Sequence, residues 1–226
     1  MDFKRLSITD PLKRTAKKQA SVPEFSPMDP PNPYSPPNTE DVPYEEMPKF
    51  LQGLMDDHEA FRAALDPFEQ AIVRMRQEGL KPGSGVDEAL REFFRFYDER
   101  IVDHHVREEK LLFPVLHERL IEIGEHSREE PPQTGVDVLE DDHVRIIQLV
   151  ALTFNFLGMA ARLPDPASRA MVLDAALQQG SALVELLRLH MFREDHVAFA
   201  LAAKHLTDGE FEEMSRHGAS SPSKPI

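Results

Sequence analysis

The sequence contains an internal repeat, and the repeated positions carry residue types that bind metal ions. The segment MDDHEAF around His58 recurs 85 residues later as EDDHVRI around His143, and HHVREEKLLFP recurs 86 residues later as HMFREDHVAFA. Two helical hairpins packed about a common centre would place such matched residues together. The repeat therefore predicts a ligand set for a pair of metal ions, composed of His58, His104, Glu108, His143, His190 and Glu194.

Composition limits the chemistry that this site can use. The chain has 226 residues, a formal net charge of −14 and no cysteine, so thiolate sites and disulfides are excluded and any metal is held by nitrogen and oxygen. The acidic balance argues against nucleic-acid binding by the folded part. No uninterrupted apolar run reaches the roughly 18 residues of a membrane span, and no signal peptide is recognisable. We expect a cytoplasmic protein without a membrane segment, and the oligomeric state stays open.

The chain divides into an arm, a helical bundle and a short C-terminal region. Residues 1–46 are predicted to form a disordered arm that is basic at first and then rich in proline. The arm is either a docking element for a partner or, as we favour, a disordered terminus lying over an acidic surface. Helical patterns at 47–79, 85–124, 135–162 and 166–205 predict an all-α, up-down-up-down four-helix bundle over 47–205. A short helix near 207–216 and a flexible tail are predicted within 206–226.

Helical rotation selects among the candidate ligands, because each residue advances about 100° around the axis. In the second pattern the apolar stripe comprises Leu90, Phe93, Tyr97, Ile101, Leu111 and Val115. His104 and Glu108 fall within this stripe, whereas His105 and Glu109 fall at or beyond its edge. We therefore predict that His105 and Glu109 are flanking polar residues. The same count places the other four predicted ligands, His58, His143, His190 and Glu194, on the apolar stripes of their helices.

The remaining histidines are predicted to lie at the surface or the edge of the bundle: His117, His126, His196, His205 and His217. Tyr97, two turns before His104, either fills the core, which we favour, or donates a hydrogen bond to a ligand. A single His-x-x-x-Glu is more often an i,i+4 contact on a solvated helix. Two such pairs in a repeat, both on apolar stripes, favour a metal cage, since the buried charged groups need partners.

The phrases LMDDHEAF, DHHVREEKLLFPVL, LEDDHVRII and LRLHMFREDHVAFALA resemble the ligand segments of the hemerythrin-like (HHE cation-binding) family over about residues 47–205. The resemblance implies a four-helix bundle around a non-haem di-iron centre. It implies that the four predicted histidines are terminal ligands and that Glu108 and Glu194 bridge the ions. Oxygen carriers of the family have a further histidine where this chain has Ile147. The four-His, two-Glu set is most similar to bacterial di-iron proteins linked to nitric oxide response and iron–sulfur cluster repair.

We therefore expect a cofactor of two iron ions, bridged by carboxylates and by an oxo or hydroxo group, that binds NO or O2. Its role would be nitric oxide or oxygen handling or sensing. Nitrogen and oxygen donors also suit manganese, and zinc fits the same cage. The alternatives are an iron storage or delivery protein that supplies cluster repair, a di-iron oxidoreductase acting on peroxide or NO, and a structural bundle whose arm recruits a partner.

Overall fold

The computed structural model describes residues 42–78, 85–128 and 130–218, which are helical and contain no β-strand. Helix α1 is Lys49–Glu78, α2 covers residues 86–122, α3 is Gly135–Arg162, α4 covers residues 166–205 and α5 is Asp208–Gly218. The four bundle helices agree with their predicted ranges to within two residues at each end. The predicted all-α bundle and its short C-terminal helix are confirmed.

The predicted arm and tail lie mostly outside the described residues. Of the arm, only residues 42–46 are described, and Tyr44–Glu46 form a 3-10 turn. The Tyr44 hydroxyl donates a hydrogen bond to Asp56 of α1 at 2.8 Å. The end of the predicted arm is therefore ordered against the bundle, while the domain boundaries themselves stay a prediction.

Local sequence signals explain where the helices begin. Gly85 precedes α2 with a φ of 75°, a left-handed conformation that glycine adopts without a steric penalty. The Thr134 hydroxyl accepts a hydrogen bond from the Val136 backbone N–H, and Asp137 accepts one from the Thr134 backbone N–H, so a capping box starts α3. Asp165 caps α4 and is followed by a proline at the first helical position.

A polar layer divides the core into two apolar halves. Buried residues of the first half include Phe61, Leu65, Phe93, Ile101, Ile146 and Leu187. Those of the second half include Leu51, Leu54, Leu116, Leu139, Phe199 and Phe211. Each of α1 to α4 contributes to both halves, and successive helices pass between them in opposite directions, which is the predicted up-down-up-down order. Five of the six predicted ligands lie along the chain between the two halves, and His190 directly precedes Met191, the last residue of the first half.

Helices α2 and α4 are interrupted by π-helical turns. In α2 the turns Tyr97–Ile101 and Glu108–Leu112 join the α-helical segments Val86–Phe96, Val102–Arg107 and Phe113–Glu122. In α4 the turn Glu194–Ala198 joins Pro166–Arg193 to Phe199–His205. Two of these turns begin at the predicted bridging glutamates, and π turns concentrate at functional sites.

The π turn at Glu108 corrects the predicted apolar stripe of α2. Leu112 and Leu116 are buried, whereas the predicted Leu111 and Val115 are only partly buried. A π turn carries one extra residue, so the buried face moves by one position beyond it. The 100° count therefore placed Leu90, Phe93, Tyr97 and Ile101 correctly but failed beyond Glu108.

Helix α3 bears on the expectation that the chain has no membrane segment, which stays a prediction. Among the described residues it is the one helix that is long and apolar enough to cross a membrane by these two criteria alone. The sequence prediction considered only uninterrupted apolar runs. Helix α3 has the length and mean hydropathy of a membrane span although a few charged residues are spread along it. Because core helices of water-soluble proteins meet the same criteria, this is weak support for a membrane span.

Candidate metal centre

The structure brings all six predicted residues together in the polar layer. None of them is more than 1% exposed. The Nε2 atoms of His58 on α1 and His104 on α2 lie 3.0 Å apart, and those of His143 on α3 and His190 on α4 also lie 3.0 Å apart. Each hairpin of neighbouring helices therefore contributes one pair of facing imidazoles.

The two glutamates connect these pairs. Glu108 Oε1 lies 3.2 Å from His104 Nε2, and its Oε2 lies 3.5 Å from His143 Nε2. Glu194 Oε2 lies 3.2 Å from His58 Nε2, and its Oε1 lies 3.1 Å from His190 Nε2. Each carboxylate thus spans the two hairpins, with one oxygen beside each imidazole pair.

A second set of carboxylates faces the outer ring nitrogens. The His58 Nδ1 lies 2.7 Å from Asp195, and the His143 Nδ1 lies 2.8 Å from Glu109, both within hydrogen-bond range. The other two contacts are longer: His104 Nδ1 lies 3.4 Å from Asp57, at the long end of hydrogen-bond range, and His190 Nδ1 lies 3.7 Å from Asp142, an ion-pair distance. Carboxylates in this position fix the tautomer and orientation of metal-binding histidines.

The contacts of these outer carboxylates follow the internal repeat of the sequence. Each outer carboxylate immediately precedes or follows a predicted ligand on its own helix and contacts a ligand on a neighbouring helix. Arg107 binds Asp57, and Arg193, 86 residues later, binds Asp142. Asp195 is bound by Arg62. Sequence reasoning missed this outer ring, although the repeated Asp–His pairs at 57–58 and 142–143 carried a signal for half of it.

These contacts test whether the residues fit a metal. The short contacts of His58 and His143 with their outer carboxylates favour a proton on Nδ1 of these two rings. The Nε2 lone pair of each ring then faces a second Nε2 atom across 3.0 Å, which is repulsive unless a cation or proton lies between the two nitrogens. All four carboxylate oxygens of Glu108 and Glu194 are buried without a hydrogen-bond partner in the described part of the chain. A buried set of nitrogen and oxygen donors that lacks internal partners fits a bound cation.

The pKa values of these residues in the metal-free chain also favour a bound cation. Burial would lower the pKa of His58, but the hydrogen bond to Asp195 and the adjacent Glu194 raise it to about 9. Burial would likewise lower the pKa of His190, but the charge of Glu194 and the nearby Asp142 raise it to about 10. Burial opposes ionisation of Glu108, yet the charge of His104 holds the Glu108 pKa well below its usual range. The centre therefore stays anionic at its carboxylates and binds positive charge.

The structure corrects the prediction for His105 and adds a contact to the prediction for Glu109. His105 is 5% exposed rather than at the edge, because α3 covers this flank and the His143 ring stacks on it at 3.8 Å. Burial lowers the pKa of His105 well below its usual value. Glu109 lies at the rim as predicted, but it contacts His143 and so belongs to the outer ring.

The other histidines lie where the sequence placed them, partly buried or exposed: His117, His126, His196, His205 and His217. Tyr97 is buried in the first apolar half, as the core-filling interpretation expects. Its hydroxyl has no hydrogen-bond partner among the described residues, and burial raises the pKa of Tyr97 to about 12.

Comparison with known proteins agrees with this geometry. The model of the hemerythrin HHE cation-binding domain family matches residues 49–202, which is more than half of the chain. Searches of curated proteins and of solved structures gave no match. The matched span contains both imidazole pairs and both connecting glutamates. The chain therefore belongs to the hemerythrin family of HHE cation-binding domains.

Proposed function

We propose that the centre holds two iron ions, one at each imidazole pair, with Glu108 and Glu194 bridging them. The observation that carries this proposal is the placement of each carboxylate, which has one oxygen within 3.5 Å of an Nε2 atom in each pair. The two donor groups, one built on His58 and His104 and the other on His143 and His190, both include Glu108. A shared carboxylate is the arrangement that a two-ion centre requires.

The donor set of each pair suits iron or manganese, and zinc fits the same donors. Two imidazoles with carboxylate oxygens are also the donor combination typical of non-haem iron.

The proposed task is to bind a small diatomic molecule, NO or O2, in nitric oxide or oxygen handling or sensing in the cytoplasm. Bound iron would supply the affinity for such a molecule at coordination positions that the protein leaves free. The burial of all six ligands admits only small molecules. Because an outer ring of carboxylates and arginines holds these ligands in place, the centre suits a resident cofactor better than iron held as cargo.

The test is metal analysis combined with optical spectroscopy. Protein loaded anaerobically with Fe(II) should retain about two ions per chain and should change its visible spectrum on addition of NO or O2. His104→Ala should lower the iron content and the spectral response. His117→Ala is the matched control, because this histidine is also on α2 but contacts Thr134 outside the centre. A spectrum that neither gas alters, with iron that a chelator removes easily, would favour storage instead.

A further inference from the structure

Helix α3 has an apolar face that the other described residues leave exposed. Only 22% of its most apolar 18-residue window is buried, so packing inside the bundle does not account for its hydropathy. Ile147 and Phe154 are 55% and 59% exposed. No charged residue occurs between Arg145 and Arg162. Contiguous exposed apolar surface of this kind marks an interaction site.

The exposed residues follow one stripe along α3, which is centred on Ala151. Counted at 100° per residue, the members of this stripe fall within about 40° of Ala151. A Cβ at Gly158 would meet no atom within 4 Å, so the surface is open there. The stripe, called the α3 stripe below, consists of Glu140, Val144, Ile147, Ala151, Gly158 and Arg162, all of them exposed.

Opposite charges lie at the two ends of the α3 stripe. Glu140 comes 11 residues before Ala151 and Arg162 comes 11 residues after it. Within the described residues neither of the two forms an ion pair. Partial burial and the negative charges of Asp137 and Glu109 raise the pKa of Glu140, so a cation beside it would be favourable. The Arg162 Nε donates a hydrogen bond to the Gly158 carbonyl at 3.0 Å, which holds the guanidinium on the stripe.

This pattern of charges is complementary to itself when the helix is reversed. In a dimer with a two-fold axis at Ala151, the two α3 helices run antiparallel, and residues at equal distances before and after Ala151 face each other. Each Glu140 then lies beside Arg162 of the second copy, and the apolar Val144 and Ile147 are covered between the two ion pairs. A parallel arrangement would bring like charges together at both ends. We propose that the α3 stripe is the interface at which two copies of this chain form an antiparallel, two-fold dimer.

The first experiment reverses the end charges and measures the mass of iron-loaded, full-length protein by sedimentation velocity. At about 100 μM the wild type should have twice the mass of one chain. Glu140→Arg and Arg162→Glu should each weaken the dimer about tenfold or more, because each places like charges together at both ends of the stripe. The variant that carries both reversals should return to within about threefold of the wild type, since the ion pairs form again with their signs exchanged.

A second pair of variants tests the apolar part of the stripe. Ile147→Glu should give a monomer, because it places charge at the apolar centre of the interface. Val73→Glu is the matched control, since Val73 is also an exposed hydrophobic residue, 48% exposed, but lies on α1. It should have the mass of the wild type. Equal effects of the two substitutions would overturn the proposal.

Single cysteines determine the orientation of the two copies, because the chain has no cysteine of its own. Ala151→Cys places two thiols together at the two-fold axis, where a bismaleimide with a span of about 8 Å should couple them. Val144→Cys is the control: seven residues from the axis on each copy at 1.5 Å per residue separate its thiols by about 21 Å. Coupling in both variants, or in neither, would overturn the antiparallel arrangement.

Other occupants of the stripe would give different results. A wild type that is monomeric at about 100 μM would overturn the proposal. If deleting residues 1–41 then produced a dimer, the arm would be the occupant. Binding of the monomer to phosphatidylcholine vesicles, lost in Ile147→Glu, would assign the stripe to a membrane surface instead. Failure of the double charge reversal to restore the dimer would also count against a second copy. Iron content and the response to NO or O2 test the proposed function separately from all of these outcomes.

Discussion

Loading metal into the metal-free protein near pH 8 should release about two protons per chain, because His58 and His190 hold protons that a metal must displace. Their pKa values are raised to about 9 and about 10, respectively. Near pH 8 these values leave about 90% of His58 and nearly all of His190 protonated, which amounts to about two protons as a minimum, because the charge of Glu108 also raises the pKa of His104. Histidines with the ordinary pKa near 6.5 would be about 3% protonated at this pH and would release almost none.

The release can be counted by titrating zinc chloride into the protein by isothermal titration calorimetry in two buffers with different ionisation enthalpies. The difference in observed heat gives the number of protons transferred to the buffer. Glu194→Gln is the informative variant, because the Glu194 charge helps to raise the pKa of both histidines. It should reduce the release to about one proton or fewer. A wild-type release below about half a proton near pH 8 would refute the claim that these carboxylates keep the imidazoles protonated.

Three further predictions address the bridges, the metal-free fold and the arm. Glu108→Ala should lose about half or more of its metal in a dialysis assay. Glu109→Ala should keep both ions but release them about tenfold faster, since it removes only an outer contact. Equal losses in the two variants would contradict the assigned roles. The raised pKa values of His58 and His190 stabilise the metal-free fold fully below about pH 6.5, and this stabilisation is lost as pH rises through about 9 to 10. Thermal melts followed by circular dichroism should therefore show a falling midpoint across that window, and a flat profile would count against it. Deleting residues 1–41 should preserve helix content and iron content, because this segment contains no predicted ligand; loss of either would show that it supports the bundle.

The parts of the fold that follow helical periodicity could be predicted from the sequence. The repeat identified the six residues that converge, because matched positions in two hairpins meet at one level of a bundle. Rotation about a single helix could not assign His105, since its burial depends on the neighbouring α3. The π turn at Glu108 was also beyond reach, because its extra residue changes the buried face without any breaker residue in the turn itself. The outer carboxylates contact residues on other helices, and those distances are fixed only by packing.

The division of donors between the hairpins has a consequence for assembly. Each hairpin carries one complete imidazole pair, but its glutamate also contacts an imidazole of the other hairpin. A fragment with only α1 and α2, or only α3 and α4, would therefore hold two imidazoles and one carboxylate, with that carboxylate missing one of its contacts. Metal should consequently promote the association of two separately produced fragments, and the 85 to 86-residue period fits descent from a single hairpin that paired with its own copy around the same ions.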